Sequence, residues 1–412
     1  MPHLHQQRLA NGLWLVAEEI PGAQSLAMSL LLPAGAVQEA PDHRGVAAML
    51  GEMICRGAGA LDARAHSDAL DQLGVQRDVS AEGHHLHLSA VMIHSKLPEA
   101  LPLLMDMVRA PRLAPAALDP SRDLALQELD ALEDDPQQKV FIELRRRHFP
   151  PPFDRSALGE RPDLQAMTLE DVREHWQRCF VPDGAILAFA GKLDFADLGP
   201  RIDRLLKGWQ GACPEPTPSG TAPRGYSHLP AQSAQVHIGL AFDAVAETDP
   251  ASMLQRAAVA VLSGGMSGRL NTEIREKRGL CYSVGARYAA DRQRGVVLGY
   301  AGTTTARAQE TLDVLAAELK RLAQGVGEDE FQRAIVGMKS GLVMQGESTS
   351  ARAHAIAADQ LVFGAPRSLD DWASRVEAIT HAELNRFVRQ TPPGPMTVVT
   401  IGPQSLRASH EK

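Results

Sequence analysis

The chain has 412 residues, of which 44% are hydrophobic and 22% charged, with a formal net charge of −8 and a pI near 6.0. This length exceeds what one hydrophobic core normally supports, so two or more domains are expected. The acidic balance argues against a nucleic-acid or anionic-membrane partner, and no apolar run approaches the roughly 20 residues that span a bilayer. No apolar segment typical of a signal peptide follows Met1, so the sequence predicts a cytoplasmic protein.

The predicted elements occur in the same order in both halves of the chain. Each half opens with an alternating strand and a helix of small residues, continues with an amphipathic helix and a long charged helix, and ends with a Thr-initiated helix and an apolar strand. The long charged helix of the first half is predicted to begin at Pro120, with Asp119 as its N-cap. The segments are 26–32, 46–54, 97–108, 120–132, 168–172 and 185–191 in the first half, and 236–242, 255–262, 306–322, 329–344, 380–384 and 396–402 in the second.

This repetition predicts an α+β fold of two homologous domains, each an antiparallel-dominated sheet with helices packed on one face. Residues 210–226 are rich in Pro and Gly, which is typical of an extended linker. The expected domains are therefore residues 1–209 and 227–412.

The helix predicted at 46–54 carries the first functional motif. Its sequence resembles that of a helix in the pitrilysin/insulinase peptidases, which carries the inverted zinc motif H-x-x-E-H. On that motif, the two His positions fall on Ala48 and Glu52, and the general-base position falls on Gly51. Two imidazoles one turn apart hold the zinc in such a site, and the Glu acts on the metal-bound water. Alanine and glycine can do neither, so the resemblance implies a member that has lost its metal site.

The resemblance extends along nearly the whole chain. Residues 122–128 are similar to the helix that supplies the family's distal zinc-binding Glu, which falls on Glu128, while a further acidic position falls on Ser121. Without imidazoles these residues imply no zinc in this chain, although Glu52 and Glu128 could bind Mg²⁺ or Ca²⁺ weakly. The alternative for Glu128 is a solvated or ion-paired helix residue.

The segment 262–283 is the most specific match and resembles the short, mitochondrial-processing-peptidase-like branch. Members of that branch have two related halves, and two chains close into a clamshell around a peptide. The resemblance implies that Arg278 and Tyr282 bind the substrate backbone and stabilise its oxyanion. The alternative is structural: Arg278 pairs within its helix and Tyr282 is a half-buried strand residue. The resemblance also implies an edge strand that pairs with extended substrate, formed by Gln76, Arg77, Asp78 and Val79.

Two other residue groups carry less weight. His84, His85 and His87 have no evident third ligand, and an exposed strand face is the expected arrangement. The four cysteines are Cys55, Cys179, Cys213 and Cys281, without C-x-x-C spacing, so they are predicted to be reduced thiols rather than a disulfide or zinc framework.

These inferences give two functional hypotheses. In the first, the chain is the non-catalytic subunit of a heterodimeric zinc peptidase that processes peptides or leader sequences, inactive alone. A homologous partner with an intact H-x-x-E-H would then supply the zinc, and this chain would supply Arg278, Tyr282 and half of the chamber. In the second, it is an inert scaffold or peptide-binding subunit of a larger complex.

Overall fold

The structure, a computed structural model, describes residues 3–407 and divides into two compact units. Among the described residues, the first unit contains 3–131, 151–219 and 345–368, and the second contains 132–150, 220–344 and 369–407. The boundary between residues 219 and 220 lies within the predicted linker, residues 210–226. Two segments do not follow this division: residues 132–150 belong to the second unit, and residues 345–368 belong to the first. Within residues 3–407, no helix has the length and apolarity needed to cross a membrane.

Thirteen strands are formed in the described part of the chain. They are β1 His3–Arg8, β2 Trp14–Glu19, β3 Ser25–Leu32, β4 Gly57–Ala58, β5 Leu61–Asp62, β6 Gln76–Ala81, β7 Leu86–Ile93, β8 Ile186–Gly191, β9 Tyr226–Pro230, β10 Gln235–Ala244, β11 Cys281–Ala290, β12 Gly295–Thr304 and β13 Thr397–Gly402.

Fourteen α-helices accompany them over the same described residues. They are α1 Val46–Ile54, α2 Ala63–Gln72, α3 Leu97–Arg109, α4 Pro115–Ala131, α5 Pro136–His148, α6 Arg161–Ala166, α7 Leu169–Cys179, α8 Phe195–Leu205, α9 Ser252–Ser263, α10 Ala308–Arg321, α11 Glu328–Gly346, α12 Thr349–Phe363, α13 Leu369–Glu377 and α14 His381–Gln390.

The two main sheets share one topology, which confirms the predicted duplication. The first unit has the strand order β1-β2-β8-β3-β7-β6, and the second has β11-β12-β10-β13-β9. Only β2–β8 in the first sheet and β13–β9 in the second are parallel pairs, so both sheets are dominated by antiparallel pairing. When the second sheet is listed in reverse, its order β9-β13-β10-β12-β11 corresponds strand by strand to β2-β8-β3-β7-β6 of the first sheet. The helices α7 and α14, which precede the last strand of each half, both begin with a capping box, at Thr168 and Thr380.

Each sheet is covered by helices on both faces, which differs from the predicted one-face arrangement. In the first unit, Ile356 and Ala357 of α12 pack against Val16 and Ile186, on the face opposite the main core. In the second unit, α5 covers the corresponding face with Val140 and Leu144. The sheet residue beneath α5 is Gly239, where a Cβ would collide with both side chains. Each covering helix comes from the other half of the sequence.

The contact between α12 and the first sheet contains a fully buried ion pair. The Arg352 Nε donates to Glu18 Oε2 at 2.7 Å, and both side chains are 1% exposed. The Arg352 Nη2 donates to the main-chain oxygen of Arg367 at 3.1 Å, whereas its Nη1 has no hydrogen-bond partner among the described residues. Because a buried charge is costly without its partner, the position of α12 depends on this pair.

The start of the long charged helix in the first half was predicted wrongly. The helix α4 begins at Pro115, five residues before the expected start, and Pro120 lies inside it. Asp119 is therefore not an N-cap, and its carboxylate instead accepts a hydrogen bond from Arg122. An Asp-Pro pair is a start signal, but a helix can tolerate one interior proline at the cost of a missing main-chain hydrogen bond.

Candidate functional site

The helix α1 is held at its N-terminus by a buried carboxylate. Glu39 accepts hydrogen bonds from the main-chain N–H groups of Gly45 at 3.0 Å and Ala47 at 3.1 Å. Burial raises the pKa of Glu39 to about 7, although these two hydrogen bonds act in the opposite direction. Gly45 has φ +100°, and a Cβ there would lie 2.7 Å from Leu164, so only glycine suits this entry to the helix. The three motif positions are thereby placed on a fixed helix.

Gly51, at the general-base position, lies on the side of α1 that faces the edge strand β6. Ala48 and Glu52 are half-buried and one helical turn apart, as the two metal-binding His positions require. Gly51 is buried, and a Cβ added to it would lie 3.4 Å from Val79 Cγ1 and 3.6 Å from Leu86 Cδ1. The helix therefore keeps the geometry of the zinc motif with side chains that cannot perform its chemistry.

Two carboxylates, Glu52 and Glu128, remain close to the motif positions. Burial raises the pKa of Glu128, and the neighbouring Glu52 carboxylate raises it further. Glu52 Oε2 lies 3.9 Å from Nη2 of Arg56, which follows the C-terminal end of α1. Ser121 is completely buried, and its Oγ has no partner among the described residues. Over residues 3–407, no three His, Cys, Asp or Glu side chains are grouped where they could hold a metal ion.

The strand β6 forms the outer edge of the first sheet, beside α1. It pairs with β7 on one side, and no strand within residues 3–407 pairs with its other side. Arg77 is tied to α2, because its Nη2 donates to Ser67 Oγ at 3.2 Å and its Nη1 lies 3.6 Å from Asp71. The outer main-chain groups of β6 can therefore accept another extended segment. The predicted edge residues Gln76, Arg77, Asp78 and Val79 all lie on this strand.

In the second unit, Arg278 is anchored by a carboxylate from a short π-helical segment. That segment is Asn271–Glu276, and it places Glu273 beside Arg278. The Arg278 Nη1 donates to Glu273 Oε2 at 2.9 Å and to the main-chain oxygen of Glu273. Hydrogen bonds from Lys277 and Arg278 lower the pKa of Glu273 to about 2. The local ion pair of Arg278, which is the structural alternative for this residue, is therefore present. It also fixes the position of the guanidinium.

Tyr282 is exposed at a bulge in the edge strand β11. The pairing with β12 shifts register between Cys281 and Ser283, which leaves Tyr282 as the extra residue. Its side chain is 82% exposed, so it is not the half-buried strand residue of the structural alternative. Bulges turn side chains out of the regular sheet pattern and are frequent beside active sites. The phenol is therefore presented to solvent at the sheet edge.

Sequence reasoning missed the features that position this pair. No residue pattern predicts the π-helical segment, the bulge or the position of Glu273. These features depend on how many residues the connection between α9 and β11 accommodates. In the first unit, Glu52 lies close enough to Glu128 to raise its pKa, and Gly51 of the same helix lies beside Val79 of β6. In the second unit, Arg278 pairs with Glu273, and Tyr282 follows four residues later at the bulge. π-helical turns are rare and often occur at functional sites.

Substitution of Gly51, which occupies the general-base position of the motif, tests whether the packing of α1 requires glycine there. We expect Gly51→Ala to raise the free energy of unfolding by about 0.5–1 kcal/mol, since a mid-helix glycine is unfavourable and the added Cβ finds ordinary contact distances. Urea unfolding of the full chain measures this. Gly337→Ala in α11 is the matched control, because a Cβ there meets nothing within 4 Å. A loss of stability in Gly51→Ala alone would show that Val79 and Leu86 require the glycine.

Comparison with known proteins finds matches to two models of one peptidase family. Residues 15–152 match the family model described as insulinase (peptidase family M16), and residues 166–338 match the model described as peptidase M16 inactive domain. A protein of Streptomyces coelicolor named as an uncharacterised zinc protease is 25% identical over 407 residues, covering 96% of this chain and 88% of that protein.

Solved structures show the same fold over almost the full length. The crystal structure of a peptidase M16 inactive domain from Pseudomonas fluorescens has a TM-score of 0.88 at 20% identity, covering 98% of this chain and 99% of that one. A chain of complex III2 from Candida albicans has a TM-score of 0.82 at 17% identity, covering 97% and 96%.

Proposed function

Since the chain belongs to the insulinase (M16) peptidase family, we propose that it is a non-catalytic subunit that completes the site of a zinc-bearing partner. The observation that carries the proposal is the contrast between the two units. The first has lost all three residues of the zinc motif at Ala48, Gly51 and Glu52, whereas the second keeps Arg278 anchored and Tyr282 exposed. A homologous chain with an intact H-x-x-E-H would supply zinc and general base.

Peptide binding is proposed to use the edge strand β6. An extended peptide can add to a sheet edge through main-chain hydrogen bonds, which depend little on side-chain identity. Within residues 3–407, no strand pairs with the outer side of β6, and the Arg77 side chain is held by α2. The substrate class is accordingly extended peptides, including leader sequences.

Arg278 and Tyr282 are proposed to bind the substrate backbone and the oxyanion that forms on its scissile carbonyl. Both are strong hydrogen-bond donors, and preorganised donors stabilise developing charge effectively. The Glu273 carboxylate supplies the preorganisation by engaging one nitrogen of the guanidinium.

The second candidate is an inert scaffold subunit of a larger complex. The shared fold with a chain of complex III2 favours it, since that chain is part of a large assembly. The two candidates differ in whether the chain increases hydrolysis by a partner.

The deciding experiment is affinity purification of the tagged chain from its own host, with mass spectrometry of co-purifying proteins and a peptide hydrolysis assay. The proposed function requires a partner of similar length with H-x-x-E-H, and hydrolysis that needs both chains. A complex without such a partner, or a partner equally active alone, would favour the scaffold.

The proposal also predicts the metal content of the purified chain. Because both imidazole positions are replaced, we expect far less than one zinc per chain and no peptide cleavage by the chain alone. Elemental analysis of protein purified without chelators measures this. The triple variant Ala48→His, Gly51→Glu, Glu52→His is the comparison, in which Glu128 can act as a third ligand. One tightly held zinc per wild-type chain would contradict the prediction.

A further inference from the structure

Two of the four cysteines are adjacent in the first unit although they are far apart in sequence. Cys213 Sγ lies 3.6 Å from Cys179 Sγ, although the two residues are 34 positions apart in the sequence. Cys179 is the last residue of α7 and is completely buried, while Cys213 is half-buried in the Pro/Gly-rich linker. The sequence-based expectation of four unrelated reduced thiols did not foresee this proximity.

The residues that precede Cys213 are fixed by several contacts against the residues that follow Cys179 at the end of α7. The Trp209 indole Nε1 donates to the main-chain oxygen of Phe180 at 2.9 Å. Ala212 forms an isolated parallel bridge with Asp183, whose N–H donates to Gly211 O at 3.3 Å. Gly211 has φ +126°, and a Cβ there would lie 2.7 Å from Val181. These contacts hold Cys213 beside Cys179, so the proximity follows from the packing of residues 209–212.

We propose that Cys179 and Cys213 form a redox-active dithiol that oxidises to an intrachain disulfide. A disulfide requires the sulfurs to approach to about 2.05 Å, so the 3.6 Å separation must close by roughly 1.5 Å. Half-buried Cys213 lies in a non-helical segment, where side-chain rotation and a small main-chain shift supply this movement. The remaining cysteines, Cys55 and Cys281, have no such neighbour among the described residues.

The surroundings assign different roles to the two sulfurs. The hydrogen bond with Cys179 lowers the pKa of Cys213, and the nearby Arg178 guanidinium acts in the same direction. That hydrogen bond and burial raise the pKa of Cys179. Cys213 is the attacking thiolate, since a dissolved oxidant can reach this half-buried residue but not the completely buried Cys179. Cys179 is the thiol that resolves the mixed disulfide.

With glutathione disulfide as the oxidant, the reaction balances in two exchanges. The Cys213 thiolate attacks one sulfur of glutathione disulfide, the oxidant's S–S bond breaks, and one glutathione thiolate leaves. Cys179 then loses its proton to solvent and attacks the Cys213 sulfur, and the second glutathione thiolate leaves. The protein loses two electrons and two protons in total, and glutathione disulfide is reduced to two glutathione molecules.

The disulfide would close a loop that contains the strand β8 and the helix α8. Because β8 lies between β2 and β3 in the first sheet, this cross-link constrains a central part of the first unit. Closing a loop of this length is expected to raise the melting temperature of that unit by roughly 5–10 °C. It also ties the beginning of the linker to α7, so linker freedom becomes dependent on redox conditions.

The test is oxidation of the full-length native chain in glutathione buffers of increasing oxidised fraction. We expect the number of thiols that react after denaturation to fall from four to two, and a non-reducing peptide map to join the peptides of Cys179 and Cys213. Cys213→Ser should keep all three of its thiols reactive, whereas Cys55→Ser should still lose two of three. The melting temperature of the wild type should rise on oxidation and return after reduction, with no rise in Cys213→Ser.

Two results would overturn the proposal. One is a lasting glutathione adduct on Cys213 with Cys179 still reactive, which would show that the sulfurs cannot meet. The other is retention of all four thiols in a buffer where a reference dithiol protein is fully oxidised. An unchanged melting temperature in chains shown by mapping to be cross-linked would overturn the stabilising role.

Discussion

Replacement of Arg278 by alanine should slow peptide hydrolysis by the reconstituted complex by tens- to hundreds-fold, while the complex still assembles. Arg278 is partly exposed and contributes to no apolar core cluster, and loss of one oxyanion donor typically costs roughly 10²–10³ in rate. Tyr282→Phe should have a comparable effect, because it removes only the exposed hydroxyl. The measurement is steady-state kinetics with a short peptide.

The kinetic constants identify how the pair acts. A contact made only in the transition state lowers kcat, whereas one that merely holds the peptide backbone raises KM. Arg278→Lys should not restore full activity, since a point charge cannot reproduce the planar guanidinium fork. Arg275→Ala is the matched control, as this exposed arginine belongs to the same π-helical segment. Wild-type rates for Arg278→Ala and Tyr282→Phe in an intact complex would favour the scaffold.

The largest effect on stability is expected from Glu18→Gln. Removing this charge leaves Arg352 buried with no anionic partner at 2.7 Å, and breaking such a pair typically costs about 3–5 kcal/mol. The loss should appear as a lower urea midpoint for the first unit, which contains both residues. It should be accompanied by weaker protection of α12 in hydrogen exchange.

The exposed pair Lys339–Glu377, 2.9 Å apart, supplies the matched control. Glu377→Gln should change the stability by less than about 1 kcal/mol, because water screens both groups. The double variant Glu18→Leu, Arg352→Met should recover most of the stability, since an apolar pair carries no desolvation cost. A Glu18→Gln midpoint equal to the wild-type midpoint would show that Arg352 finds another partner.

Local patterns were sufficient to predict much of the fold. Alternation at 26–32 and the apolar spacing at 46–54 predicted β3 and α1 closely, because each segment buries one face within its own half. The sheet against which each of α5 and α12 packs could not be predicted in this way. An apolar helix face indicates that a helix is covered, but not which of two similar sheets covers it.

The candidate site was predictable where it depends on residue identity and unpredictable where it depends on geometry. The loss of the zinc motif follows directly from Ala48, Gly51 and Glu52. The exposure of Tyr282 follows from a one-residue bulge, and the position of Arg278 follows from a π-helical turn. Neither irregularity has a characteristic residue pattern, so the sequence alone did not predict it.

The exchange of α5 and α12 has a consequence for synthesis of the chain. When β8 leaves the ribosome, every strand of the first sheet has been made, but α12 begins roughly 160 residues later. At a translation speed of about 5–20 residues per second, the nascent sheet waits roughly 8–30 s with the Val16 and Ile186 face uncovered. Such a surface favours association between neighbouring nascent chains or capture by a chaperone. Completion of the first unit is therefore a late event, coupled to synthesis of the second half of the polypeptide.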